Sequence, residues 1–363
     1  MSIPSPAPWR ILSDDLTGAL DSAAAWAASD AVPVFLDQPQ AAPQAVQCVV
    51  SGTRDLAPPE LPSRLAPSLD WLAGSGWAYK KIDSLLRGNS FAEIAWLLRS
   101  GRFEGAVFAP AFPAQGRFTA NDRHWVAPPH QPQGPRTHEF AGSLHKALAD
   151  AGLQPWRPEQ VSQSLQRAMQ VAVPDLLCDA DLDALAALAH TPQARRWLWC
   201  GSAGLAWALA RHEGRTAASA PHPPPPPAGP LLLLTASRHP VLRAQLRGLD
   251  GFLPGLTLVD LADAEPLAPA EAQARLDQGM RELLATQQRP ARLLVVGGDT
   301  LLALCRAAGV HSLLAGPSPR PGWGSARLCG GVWDGLSCWS RSGAFGADDD
   351  LRAALAAQPS PIH

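Results

Sequence analysis

The sequence predicts an α/β protein of two domains, with mainly parallel sheets flanked by helices and the active site in the interdomain cleft. Three observations carry that expectation. The chain has 363 residues, more than one ordinary domain of ~100–200 residues holds. Short apolar runs alternate with helical stretches through polar or glycine turns, the pattern of parallel sheets covered by helices. Residues 212–230 (HEGRTAASAPHPPPPPAGP) break that pattern, with an unbroken proline run from Pro223 to Pro227. Such a run favours polyproline II and cannot join a helix or a central strand, so it reads as a stiff linker. The expected domains are 1–216 and 229–363, joined by a linker at 217–228.

The elements follow in order. An apolar strand at 10–13 runs into Asp14-Asp15-Leu16-Thr17-Gly18 and an Ala-rich helix through Ala28. Buried strands are expected at 46–51 and 105–109. A strand at 196–200 enters Gly201-Ser202-Ala203-Gly204 and a helix at 205–210. Beyond the linker, 231–234 enters Thr235-Ala236-Ser237 and a helix near 241–249. A strand at 293–296 enters Gly297-Gly298-Asp299-Thr300 and a helix at 301–308, and a strand at 336–340 precedes Ser342-Gly343-Ala344-Phe345-Gly346. Ligands of such folds sit at the carboxyl ends of strands, so these turns are the candidate site loops.

Composition narrows the partners. The hydrophobic fraction is 46% and the charged fraction 17%, enough apolar material for packed cores and incompatible with a wholly disordered chain. A net charge of −2 provides no basic surplus for a phosphate backbone, so no nucleic-acid partner is expected. The start MSIPSPAPWR does not read as a signal peptide, and no apolar run approaches the ~18 residues of a membrane span. A cytoplasmic protein without a membrane partner is expected. The six cysteines are scattered with no C-x-x-C pair, so no metal site built from side chains is assigned.

The two halves carry different chemistry. Asp14 and Asp15 stand at a strand end with Thr17 beyond. Adjacent carboxylates there can accept hydrogen bonds from a polyol or serve as a base, while helix capping by one of them is the plainer alternative. Residues 80–89 read Lys-Lys-Ile-Asp-Ser-Leu-Leu-Arg-Gly-Asn, in a chain with only three lysines, Lys80, Lys81 and Lys146. Lys81, Asp83, Ser84, Arg87 and Asn89 form a hydrogen-bonding kit for an anionic, hydroxylated small molecule, with a salt-bridged surface turn as the alternative. A proline-bounded loop then ends in Arg117. In the second half, Gly297 and Gly298 lie between a strand and a helix N-terminus, where main-chain N–H groups can reach an anion. Asp299 or Thr300 could cap that helix or reach a metal. Ser237, Arg238 and His239 sit at another helix start. No G-x-x-x-x-G-K-[ST] motif occurs, and these turns lack the Rossmann glycine fingerprint.

Taken in order, Ser13–Ala19, Lys81–Ser84 with Arg87-Gly88-Asn89, Pro110–Pro113, Gly201–Leu205, Ser237–Val241, Gly297–Thr300 and Ser342–Gly346 resemble the four-carbon acid sugar kinase family. Its members phosphorylate compounds such as 3-oxo-tetronate, D-threonate and D-erythronate with ATP. The resemblance implies an acid-sugar-binding domain at 1–216 and a nucleotide-binding domain at 229–363. It places Ser237, His239, Gly297, Gly298, Asp299, Thr300 and Gly343 at ATP, and Mg²⁺ is expected with the nucleotide. Asp14, Thr17, Lys81, Ser84, Arg87, Asn89 and Arg117 are then expected at the acid sugar, with Asp15 first and Asp83 second as the group that orients or deprotonates the attacking hydroxyl. The chain departs from the family pattern at Asp299, where Glu is common, and at Leu85, where Thr is usual. It departs again at 119–125, where the family shows Thr-x-Gly-Gly-x-His-Tyr. A ligand-sensing protein on the same scaffold and a nicotinamide-dependent oxidoreductase are the competing readings, and the missing glycine fingerprint speaks against the latter. A homodimer is left open.

Overall fold

The computed structural model describes residues 8–356 apart from 29, 39–43, 75, 129–130, 132, 139, 159–168, 216–228, 250–254 and 319–321. The linker expected at 217–228 lies outside the described residues. The strands are β1 (Trp9–Ser13), β2 (Val32–Phe35), β3 (Val46–Val50), β4 (Trp77–Lys81), β5 (Gly105–Ala109), β6 (Arg117–Ala120), β7 (Arg123–Val126), β8 (Gln154–Trp156), β9 (Gln170–Ala172), β10 (Trp197–Gly201), β11 (Leu231–Thr235), β12 (Leu256–Asp260), β13 (Arg292–Val296), β14 (Ser312–Gly316), β15 (Trp323–Cys329) and β16 (Ser337–Arg341). The helices are α1 (Leu16–Ala24), α2 (Leu61–Ala73), α3 (Ser90–Arg99), α4 (Leu144–Asp150), α5 (Asp179–Ala187), α6 (Ala203–His212), α7 (Pro240–Arg247), α8 (Pro269–Thr286), α9 (Gly298–Ala308) and α10 (Asp350–Ala356).

All strands but β6 and β7 join one sheet, ordered β12-β11-β13-β16-β15-β14-β2-β3-β1-β4-β10-β5-β9-β8. Every strand of the first half lies on one side and every strand of the second half on the other. Within each half the central pairings are parallel, such as β1 with β3 and β4, and β13 with β11 and β16. The two parallel blocks meet through antiparallel pairings of β16 with β15, β15 with β14, and β14 with β2. The architecture is therefore the predicted helix-flanked, mainly parallel α/β type, with the two blocks sewn edge to edge.

Packing follows the strand period. One hydrophobic cluster runs under both blocks, from Trp9, Leu20, Trp77 and Leu205 to Leu293, Leu304 and Leu328. The opposite face is covered separately, by α2 and α3 over the first block and by α7 and α10 over the second. Alternation along β4 also separates the adjacent lysines. Lys80 turns into the core, where its Nζ stands 2.5 Å from Glu93 Oε2 with both side chains fully buried. Lys81 turns to the cleft at the strand end.

Two local details differ from expectation or explain a departure. Helix α1 ends at Ala24, and residues 25–28 are turns. The β6–β7 hairpin turns on Asn121 and Asp122, with φ of 51° and 62°. A two-residue turn of this kind needs left-handed backbone at both positions, which Asn and Asp tolerate best after glycine.

Candidate active site

The carboxyl ends of the central strands open into a cleft lined by residues of both halves. Its first wall is charged. Asp15 ends the β1 turn as N-cap of α1, in extended backbone, accepting from Gly18 N at 3.0 Å and from Thr17 Oγ1 at 2.6 Å. Arg54, in the turn after β3, donates through Nε to Asp14 Oδ2 and through Nη2 to Asp15 Oδ1, both at 2.8 Å. The same guanidinium stands 3.7 Å from Asp83 Oδ1. Arg87 grips Asp83 with a fork, Nε to Oδ2 at 2.6 Å and Nη2 to Oδ1 at 2.9 Å, the geometry that makes guanidinium–carboxylate pairs strong. Lys81 Nζ donates to Ile82 O at 2.7 Å. A Cβ on Gly18 would stand 2.5 Å from both Asp15 Oδ1 and Lys81 Nζ, so only glycine leaves room for that ammonium.

This network sets the charges. Burial opposes ionisation of Asp15 and Asp83, but the neighbouring cations outweigh it. Arg54 and Lys81 hold the Asp15 carboxyl below its ordinary value, and Arg54 and Arg87 hold Asp83 well below the usual carboxylate range. Burial likewise works against the Arg54 charge, and three carboxylates more than restore it. Beneath, His124 Nε2 donates to Ser84 O at 2.7 Å, and burial pushes this imidazole down to about 4. It is a neutral prop for the Ser84 turn.

From the second half Gly322, Ser342 and Phe345 line the cleft itself, and beside it stands a second wall built from turns with few side chains. Gly297 adopts φ +114°, a conformation closed to L residues, and α9 starts behind it with no side-chain cap. A Cβ on Gly298 would lie 2.6 Å from Asp15 Oδ2 and 3.1 Å from Thr17 Oγ1, so the glycine turn presses directly on the charged wall. Thr300 Oγ1 accepts from Ala236 N at 3.1 Å, tying this turn to the one after β11. A Cβ on Gly343 would meet Ser237 Oγ at 2.5 Å and His239 Cβ at 3.6 Å. His239 caps α7 through Nδ1, which accepts from Val241 N at 3.3 Å. Ser237, His239, Gly297, Gly298, Thr300 and Gly343 are thus gathered from three turns. Asp299 opens the first turn of α9. The residue is exposed, and partial desolvation together with the Asp55 and Asp15 charges raises its carboxyl to about 6.

The structure spreads the remaining expected residues. Asp15, Thr17, Lys81, Asp83, Ser84 and Arg87 line the cleft. Asp14 lies behind them and holds Arg54. Asn89 spends its amide on the carbonyls of Thr53, Arg54 and Leu56, at 2.8, 3.2 and 2.8 Å, and so pins the turn that carries Arg54. Arg117 reaches the glycine loop instead of the charged wall. Its Nη2 donates to Ala344 O at 3.1 Å, and its guanidinium stacks 4.8 Å above the Phe345 ring. Sequence reasoning missed Arg54 and Asp21. Ser51-Gly52-Thr53-Arg54 is one more strand-end turn, and Asp21 is one helical turn beyond Thr17 on the same face of α1. Phe112 and Phe345, edge to face at 6.3 Å, form an apolar end of the cleft.

The residues suit a triphosphate and its magnesium. A side-chain-free turn facing an uncapped helix start matches phosphate. Mg²⁺ takes one or two carboxylates besides phosphate oxygens, and Asp299 is the carboxylate of this turn. Among the described residues no group of three or more His, Cys, Asp and Glu forms a metal cage, and no helix is long and apolar enough to cross a membrane.

Comparison with known proteins agrees with this layout. Residues 9–209 match the family described as the sugar-binding N-terminal domain. A D-threonate kinase of Cupriavidus necator is 31% identical, over 86% of this chain and 89% of that protein. A D-threonate kinase of Bordetella bronchiseptica is 30% identical, over 95% of this chain and 96% of its own length. A crystal structure from Salmonella typhimurium LT2, named for a tRNA synthase, superposes with a TM-score of 0.69 over 97% of this chain and 99% of that one. At 18% identity that likeness speaks for the fold alone. From the sugar-binding match, the near-full-length relatives and the shared fold, the chain belongs to the four-carbon acid sugar kinase family.

Proposed function

We propose that this protein transfers the γ-phosphoryl group of ATP to a hydroxyl of a four-carbon acid sugar of the threonate, erythronate or 3-oxo-tetronate type, in the cytoplasm where ATP is at hand. The observation that carries this reading is the contact of the two walls, with the Gly298 main chain set against Asp15 and Thr17. An anion on the glycine turn and a polyol on the charged wall would be neighbours there, and phosphoryl transfer depends mainly on such placement. The names of the relatives agree with the acceptor class.

The charged wall supports the acid part of the reading. Arg54, Arg87 and Lys81 offer N–H groups to a carboxylate, while Asp83 and Ser84 accept from or donate to hydroxyls. Gly297 N already donates to Arg341 O at 3.0 Å, so the main-chain N–H groups offered to phosphate are those at the start of α9 from Gly298 onward, and Asp299 with Mg²⁺ would offset its charge. The bound magnesium supplies charge neutralisation at the phosphates. ADP release, measured with ATP, Mg²⁺ and a panel of acids, tests the proposal. D-Threonate or a close relative should support turnover, and erythritol should be poorer by up to ~10⁴-fold in kcat/KM, because it brings no carboxylate to the buried Lys81 ammonium, which donates to the Ile82 carbonyl. Equal turnover of erythritol would remove the carboxylate from the account, and no acid-dependent ADP would remove the kinase.

A further inference from the structure

We propose that Asp21, and neither Asp15 nor Asp83, accepts the proton of the attacking hydroxyl. The inference rests on the kinase reading above. The carboxylates of the charged wall are already occupied. Both oxygens of Asp83 are held by Arg87, and the oxygens of Asp15 are taken by Gly18 N, Arg54 and Thr17. A carboxylate clasped by guanidinium keeps little basicity.

Asp21 differs in its partners. It lines the same cleft from α1, one turn beyond Thr17. Its two hydrogen bonds come from neutral donors, Trp207 Nε1 at 3.3 Å and Gly322 N at 3.2 Å, and both fall on Oδ1. Oδ2 therefore takes no donor from the described residues. Gly322 belongs to the second half, so the carboxylate sits where the halves meet. Its ionisable neighbours are Lys81 and Tyr79 of β4 and Asp15 of the β1 turn. The Tyr79 hydroxyl is committed to Ser202 O at 2.5 Å. Burial outweighs both donors and the Lys81 charge, and it raises Asp21 to about 6, close to the working pH at which a general base is most effective.

The step balances without another reactant. The acceptor oxygen forms its bond to the γ-phosphorus while the bond from that phosphorus to the β,γ-bridging oxygen breaks. The bond electrons leave with ADP, and the acceptor proton moves to Asp21 Oδ2 and later to water.

Two readouts test this. In the kinetic one, wild type is first shown to release ADP only with an acid sugar, which settles the kinase reading separately. Asp21→Asn should then bind both substrates but lose kcat by ~10²–10⁴, and the acidic limb of the kcat profile near pH 6 should vanish. Asp21→Glu should recover part of the rate, and Trp207→Phe should move the limb to higher pH by removing a donor to the charged form. In the second readout, the Trp207 indole N–H resonance, assigned by its loss in Trp207→Phe, should titrate with a midpoint near 6 in wild type and stay flat in Asp21→Asn. An Asp21→Asn enzyme with wild-type rate and acidic limb would overturn the assignment. So would a Trp207 resonance in wild type that does not move between about pH 4.5 and 8.

Discussion

The two walls of the cleft reach a binding surface by opposite routes. The charged wall packs six ionisable side chains into a mostly buried space, satisfying Asp14, Asp15, Arg54, Asp83 and Arg87 against one another while Lys81 donates to the Ile82 carbonyl. The glycine wall does nearly without side chains and leaves main-chain N–H groups at the start of α9. The first route is exacting, because a buried charge that loses its partner is costly. The second is exacting in another way, because any Cβ fills the space the ligand needs. Changes on the first wall should therefore damage stability and acid recognition together, whereas changes on the second, away from Gly298 where it abuts Asp15, should damage nucleotide use alone.

Arg54→Met breaks the comparison hardest. It removes the cation shared by Asp14, Asp15 and Asp83, and stranding one member of a buried ion pair costs ~3–5 kcal/mol. Urea unfolding should show a loss of that order, with acid binding abolished. A variant as stable as wild type that still binds acid would mean the wall is not organised by Arg54. Gly298→Val comes next. The added side chain begins 2.6 Å from Asp15 Oδ2, and a misplacement of this kind can cost ~10² in rate. KM for ATP should rise by about that factor, and because the clash falls on Asp15 the acid should bind more weakly too, which steady-state kinetics in both substrates will show.

The pH dependence of stability sharpens the contrast. Asp83 is held well below the ordinary carboxylate value of 3.8 in the folded chain. Its contribution is full above about pH 4 and is lost as the pH falls towards the folded value. Asp83→Asn should flatten the acid side of the stability curve. Melts recorded from neutral pH downward check this, and an unchanged slope would assign the acid limb to other groups. The smallest effect is expected far from either wall. Asn121→Gly, at a left-handed turn position, should shift stability by less than ~1 kcal/mol and leave acid-dependent turnover unaltered.

The contrast also explains what the sequence disclosed. Strand–turn–helix units announced the α/β fold and most of the loops that form the cleft, because apolar runs and glycine turns are local signals. The antiparallel seam of β2, β14, β15 and β16 was not legible, since a short apolar run does not say in which direction it will pair. On the glycine wall, residues named from sequence are brought together, because there the backbone itself makes the site. On the charged wall, type alone could not separate ligand groups from scaffold. Lys80 and Lys81 are neighbours in sequence, yet one is buried against Glu93 and the other faces the cleft. Asn89 and Arg117 satisfy main-chain carbonyls, as buried polar groups generally must. Arg54 and Asp21 were overlooked because basicity and charge pairing depend on residues distant in sequence.

The division of labour between the walls is tested most directly by calorimetric titration of two variants with two ligands. D-Threonate and a non-hydrolysable ATP analogue would each be titrated into Lys81→Met and Gly343→Val, whose added side chain meets Ser237 and His239 and not the charged wall. The account predicts a crossed result, with the lysine variant losing affinity for the acid but not the nucleotide and the glycine variant losing the nucleotide but not the acid. Parallel losses of both ligands in each variant, or intact binding of both, would contradict it.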